Sequence, residues 1–270
     1  MKPIDFHMHI CPNPDTAKEL NVASDSRLGD YLITLSQKVE ASNLEKGLGI
    51  FLDTNLLAKE NPLHIISGLK QSGKIDNLEF AAMIDFRSSQ AKGQAKKAKE
   101  QGFLAIKFHP ILQKMKDEDY EKAKDLAAEA SSLGLIIIID THETGAKSYP
   151  YDSLRFANFI LPSIKTPVIL AHSGGIKTLE ACVLALDFPN VYLETSFSIP
   201  FWLGSSIEQD LNFCFKKVGS NRIIFGSDFP YQDTEKSQKE AVSFFERHGF
   251  SQVDIENIMF KNALKLCQKK

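Results

Sequence analysis

The chain has 270 residues, of which 43% are hydrophobic and 24% charged, and its formal net charge is −2. That length can bury one large core, and so small a charge gives no electrostatic reason to expect a nucleic acid or an anionic membrane as partner. The four cysteines, Cys11, Cys182, Cys214 and Cys267, are scattered without a C-x-x-C pair, which argues against a disulfide framework or a thiolate zinc site and suits a reducing compartment.

Short β-branched or aromatic runs alternate with amphipathic stretches along the chain. Strands are predicted over Ile4–His9, Gly47–Leu52 and Phe80–Phe86. A helix over Ser89–Gln101 follows, stopped by Gly102, and then a strand over Phe103–His109. Asp117–Leu133 carries Tyr120, Ala123, Leu126, Ala127 and Ala130 at helical spacing, with Gly134 as its stop. Four further strands are expected at Leu135–Asp140, Val168–His172, Val191–Ser196 and Ile223–Asp228. Helices over Asp233–His248 and Ser251–Cys267 close the chain, the second N-capped by Ser251. Several strand runs are continuously apolar, as parallel strands covered on both faces should be. Eight such units without a linker predict a single-domain (β/α)8 TIM barrel over residues 1–270, with its active site where the strands end.

Polar residues collect at those ends. His7 and His9 end the first strand, Arg87 the third, and Lys107 and His109 the fourth. Asp140 and His142 follow the fifth, His172 the sixth, Thr195 and Ser196 the seventh, and Asp228 the eighth. Residues two apart on a strand face one side, so His7 and His9 can offer both imidazoles to one ion. Closing the ring brings Asp228 beside them.

The segments Asp5-Phe6-His7-Met8-His9, Ala105 to Pro110, Leu170 to Gly175 and Phe225-Gly226-Ser227-Asp228-Phe229-Pro230 resemble the amidohydrolase superfamily. The likeness is to its amidohydrolase-related branch of metal-dependent TIM-barrel hydrolases and decarboxylases, and Asn257 to Ala263 is similar to that branch's C-terminal helix. The branch has a histidine at the end of strand five, whereas this chain reads Ile139-Asp140-Thr141-His142-Glu143. Aligned without a gap, Asp140 takes the ligand position; shifted by two, His142 does.

The resemblance implies a divalent metal, zinc first and manganese as the alternative, held by His7, His9, Asp140 or His142, and Asp228. The ion would bring a water's pKa from about 15.7 toward about 7. Asp228 would take that water's proton, and His172 would either join the ligands or stabilise charge on the attacked oxygen. Lys107 has three roles open to it: a carbamylated bridge between two metals, an anion binder, or a partner for Asp140. Arg87 suits a substrate carboxylate but equally a loop acid, and His109 is a substrate-binding candidate. The apolar segment Phe197-Ser198-Ile199-Pro200-Phe201-Trp202 either walls the pocket or buries against a partner subunit. The expected activity is hydrolysis of an amide, lactone or ester bond in a small polar molecule, which Arg87 and Lys107 hint is anionic. Non-oxidative decarboxylation of a conjugated or aromatic acid is the alternative. A non-catalytic metal-binding barrel is a third reading, motivated by the fifth strand. The longest aliphatic run, Leu135 to Ile139, is too short to span a bilayer. Asp5 stands where a secretory leader needs apolar residues, so a cytoplasmic protein is expected, with a homodimer as the base expectation.

Overall fold

The computed structural model describes residues 2–10, 28–142, 145–146 and 148–268. Cys11, Glu143 and the Lys269-Lys270 pair lie outside the described residues. Eight parallel strands stand in chain order: β1 (Ile4–Ile10), β2 (Lys46–Phe51), β3 (Leu78–Met83), β4 (Ala105–Phe108), β5 (Ile136–Asp140), β6 (Val168–Ala171), β7 (Val191–Glu194) and β8 (Ile223–Ile224). The regular ladder of β8 is shorter than expected because residues 225–229 turn to pair with β1. Phe6 N donates to Phe225 O (3.0 Å), Asp228 N to His7 O (2.9 Å) and His9 N to Phe229 O (2.7 Å), and these bonds close the ring.

The helices are α1 (Leu28–Ala41), α2 (Glu60–Gln71), α3 (Ala91–Glu100), α4 (Tyr120–Ser132), α5 (Ser153–Ile160), α6 (Thr178–Asp187), α7 (Ser198–Trp202), α8 (Ser206–Val218), α9 (Thr234–Arg247), α10 (Gln252–Glu256) and α11 (Asn262–Cys267). Local chemistry explains their ends. Asp233 caps α9 by accepting from Lys236 N, and Ser251 forms a capping box with Asp254 at the start of α10. The single helix expected over Ser251–Cys267 is interrupted by a π-turn at Asn257–Lys261. There Ile258 O accepts from Phe225 N (3.1 Å), and the Asn262 amide reaches Ser220 O and Ile223 O. The widened turn is thus tied to the entry and exit of β8.

Inside the barrel, Ile4, Phe6, Leu48, Ile50, Ile138 and Tyr192 pack together, with Leu266 and Cys267 of α11 in the same cluster. Met8, Ile10, Phe51, Phe80 and Phe108 belong to the outer layer between strands and helices. Phe6 and His9 both face inward although they differ in parity. The β1–β2 register shifts between Asp5 and Met8, and this bulge turns the end of β1 over. The Asp5 carboxylate accepts from His7 N (3.1 Å) and Ser227 N (2.9 Å) at the bulge. Cys182, Cys214 and Cys267 are buried. Among the described residues no helix is long and apolar enough to cross a membrane.

The loop after β4 is held from β3. Arg87 Nε and Nη2 donate to Asp119 at 2.9 and 2.5 Å, while its other contacts go to Gln113 O and Lys114 O. Burial alone would raise the Asp119 carboxyl, but hydrogen bonds from Arg87 and the Lys116 amide bring it below its ordinary value. A carboxyl depressed on folding stabilises the fold above its unfolded pKa of about 3.9, and that stabilisation is lost as pH falls through the folded value. Asp119→Asn should therefore cost about 1–2 kcal/mol at pH 7. In thermal melts its gap from the wild type should close below about pH 4. Equal melting temperatures at pH 7 would show that the tie carries no weight.

Candidate metal centre

His7 and His9 reach the mouth of the barrel from the bulged end of β1, and each is almost wholly buried. Burial first, then the proximity of Lys107, His172 and His9, holds His7 well below the ordinary imidazole value, so the ring is neutral. Its Nδ1 lies 3.0 Å from Glu194 Oε2. A carboxylate can only accept, which places the proton on Nδ1 and leaves the Nε2 lone pair facing the cluster. Nε2 then stands 3.0 Å from Lys107 Nζ and 3.6 Å from Asp228 Oδ1. His9 Nε2 lies 2.8 Å from the same Asp228 oxygen, and its buried Nδ1 has no hydrogen-bond partner among the described residues. Asp228 sits at φ +66°, a left-handed conformation costly for a side-chain-bearing residue, fixed by its amide's bond to His7 O. Burial would raise its carboxyl, but the His9 hydrogen bond and charges around it bring it below the usual value.

One ligand atom from each of His7, His9 and Asp228 lies within 4.8 Å of the others, and the same holds for His7, His172 and Glu194. The first set has two imidazoles and a carboxylate opening onto a cavity, the donor chemistry of a catalytic divalent-metal site. The residues fit such an ion. Glu194 behind His7 supplies the outer carboxylate that orients a ligating imidazole.

A second polar group abuts the first. Asp140 Oδ2 receives Lys107 Nζ at 2.9 Å, His172 Nε2 at 3.3 Å and His109 Nε2 at 3.6 Å. Burial opposes the Asp140 charge, but the neighbouring His109, Lys107 and His172 overcome it and hold the carboxyl well below its usual range. Burial likewise lowers His172, yet Asp140 outweighs it and lifts this histidine to about 9. His109 is pushed down to about 3, chiefly by burial. His172 itself sits at φ +65°, its Nδ1 near Ser196 O and its amide donating to Glu194 Oε2 (3.2 Å).

The cavity over these residues has a volume of about 250 Å³. His9, Asp140, His172 and Asp228 form its polar side; Leu52, Leu112, Phe197 and Tyr231 form its apolar side, with His109 and His142 between. A larger cavity of about 380 Å³, lined by Tyr149, Tyr151 and Trp202 among others, contains none of the histidines. The Phe197–Trp202 segment is thus divided between the two. Of the two strand-five candidates, Asp140 is engaged by Lys107 and His142 stands at the wall, its ring 4.4 Å from Phe197. Among the described residues, neither joins a converging donor set. Arg87 is not brought to this cavity, because Asp119 and two loop carbonyls take up its guanidinium.

Glu194 escaped the sequence reading, which stopped at Thr195 and Ser196. It is fully buried and accepts from His7 Nδ1, the Ser196 amide (2.5 Å) and hydroxyl (2.7 Å), and the His172 amide. Its signal was available: in Val191-Tyr192-Leu193-Glu194 it is the only carboxylate, and it shares the inward face of Tyr192.

A family model described as amidohydrolase matches residues 78–267, well over half of the chain. The match starts at β3, so His7 and His9 lie outside it. No curated protein matches the chain. Among solved structures, a TIM-barrel protein from Bordetella bronchiseptica aligns with a TM-score of 0.70 at 17% identity, covering 100% of this chain and 99% of the other. A Pseudomonas putida protein assigned as a 2-pyrone-4,6-dicarboxylic acid hydrolase aligns at 0.65 and 19% identity, covering 100% and 98%. A dihydroxybenzoic acid decarboxylase from Polaromonas with bound manganese aligns at 0.59 and 11%, covering 99% and 97%. At these identities the likeness is one of fold, and it extends to proteins named for both reactions.

Two substitutions test the construction of the centre. A methyl at Gly226 would fall inside contact distance of Glu194 Oε1 and 2.7 Å from His7 Cβ. Gly226→Ala should therefore lower the melting temperature, at a cost of about 1–3 kcal/mol, and reduce bound metal measured by elemental mass spectrometry. Glu194→Gln should weaken metal binding about 10–100-fold in chelator competition while leaving a folded protein. Wild-type affinity in that variant would remove Glu194 from the role of orienting His7.

Proposed function

The chain belongs to the amidohydrolase family, and from that premise we propose that it is a metal-dependent hydrolase that adds water across an amide, lactone or ester bond of a small molecule. The observation that carries this reading is the convergence of His7, His9 and Asp228, backed by Glu194, at the polar side of a cavity of about 250 Å³. His7 Nε2, His9 Nε2 and the Asp228 carboxylate would hold the ion. Zinc suits these donors, and manganese, which the Polaromonas decarboxylase binds, suits the carboxylate share of the set. When bound, the ion supplies Lewis acidity and brings the pKa of water toward about 7.

The chain's own residues do the rest. Asp228, held ionised, accepts the proton of the attacking water and returns it to the leaving group. His172, kept positively charged beside Asp140, stands at the cavity wall as a fixed positive charge that stabilises oxygen gaining negative charge. Leu52, Leu112, Phe197 and Tyr231 hold the substrate's apolar part and exclude bulk water. No lysine or arginine is among the described residues lining the cavity; Lys107 is buried against Asp140 and Arg87 is bound to Asp119. This speaks against a lysine or arginine clamp of the kind that Arg87 and Lys107 hint at, and leaves His172 as the positively charged side chain at the cavity.

The test begins with elemental analysis of untagged protein prepared without chelator, beside a His7→Ala/His9→Ala variant. About one zinc or manganese per chain, lost in the variant, is expected. Loaded enzyme is then assayed against neutral lactones, esters and amides in ¹⁸O-labelled water, and against aromatic acids for CO2 release. Label in the product acid, with kcat reduced about 10²–10⁴-fold by Asp228→Asn, supports the proposal. CO2 release without ester or lactone cleavage would move the assignment to decarboxylation. Absence of metal from both proteins after incubation with either ion would overturn it.

A further inference from the structure

Helix α6 is apolar on both sides. Its inward face buries Ala181, Cys182 and Ala185, while Leu179, Val183 and Leu186 point outward and are about half exposed, with Ile176 just before the helix in the same state. Spacings of three, four and three make these four one continuous stripe along the helix. The neighbouring α8 touches α6 through Cys214, whose sulfur lies 3.5 Å from Thr178 O, and carries the exposed Phe213. Of eleven large hydrophobic side chains exposed among the described residues, four therefore stand on these two adjacent helices and a fifth, Ile176, just before α6. Both signs of charge surround them: Glu180 and Asp187 on α6, and Lys217 on α8 with its amine 5.7 Å from the Phe213 ring.

We propose that this face binds a second copy of the chain, related by a two-fold axis passing near Val183. Three observations select that occupant. Antiparallel packing of α6 on its own copy pairs Leu179 with Leu186 of the other chain in both directions, because the two lie nearly equidistant from Val183. The rim carries both signs of charge, so a second copy does not meet a face of uniformly like charge. The area also suffices. Five half-exposed side chains of this size present on the order of 500 Å², at the top of the range for the largest patch on a monomer. Two copies together bury about 1,000 Å² from these residues alone, the lower bound of a specific interface, before the rim is counted.

Sedimentation velocity of the full chain reads the outcome. The wild type should sediment as a dimer, at twice the 30.2 kDa of the chain, and Val183→Glu/Leu186→Lys as a monomer. The far-UV spectrum and metal content should be unchanged in the variant, since neither side chain is buried. Val183→Cys should form a covalent dimer under mild oxidation, which the wild type does not, because residues on a two-fold axis meet their own copies. A monomeric wild type at micromolar concentration would overturn the proposal and leave the face to a different partner. A dimer that survives the double substitution, or that fails to cross-link through Cys at position 183, would place the contact elsewhere and equally overturn it.

Discussion

The meeting of β1 with the chain after β8 is the constraint on which the rest depends. It joins the two ends of the sequence, and every proposed metal donor sits on one side of that seam or the other. Phe6, His7 and His9 bond through their backbones to Phe225, Asp228 and Phe229. The bulge at Asp5 to Met8 then decides what those backbones present. Without the extra residue, His7 and His9 would share the outward side with Asp5, and Met8 would point into the barrel. The Asp5 carboxylate holds the bulge by accepting two backbone N–H groups, one from each end of the chain. Buried there, it is pushed up to about 7, so a group chosen to satisfy two amides is itself costly to keep charged.

The mouth of the barrel concentrates more buried charge than stability alone would favour. Asp140, Lys107, His172, Glu194 and Asp228 are all withdrawn from water within a few ångströms of one another. Desolvating such groups costs several kcal/mol each unless partners repay it. Here the partners are mutual: Lys107 serves both Asp140 and His7, and Glu194 accepts from four donors. Each member has more than one partner, so the geometry of His7 and His172 is over-determined. That rigidity is what a site needs when its function rests on lone-pair direction.

Much of this was legible in the residues. Strand ends were readable because polar side chains interrupt apolar runs, as Asp140 does after Ile136-Ile137-Ile138-Ile139, and the cap Ser251 was readable from local chemistry. What was hidden depends on distance. Arg87 pairs with Asp119, 32 positions on, and no local pattern distinguishes that acid from a substrate's. The π-turn at Asn257–Lys261 exists to meet Phe225 N and β8, which helical periodicity alone does not report. The bulge in β1 has no sequence mark apart from an acid inside an apolar strand. Glu194 was concealed by the more conspicuous Thr195 and Ser196 beside it.

The order of the strands carries one more consequence. Seven of the eight strand pairings join neighbours in the chain and can form as soon as the segment between them exists. The eighth does not: His9 and Asp228 are 219 positions apart. During synthesis, a nascent chain can lay down strand upon strand as an open, curling sheet while its histidines wait without a counterpart. Only when the last strand leaves the ribosome can the first find it. The proposed metal centre is therefore withheld until β8 and the residues after it have been made, and no fragment ending before Asp228 could possess it.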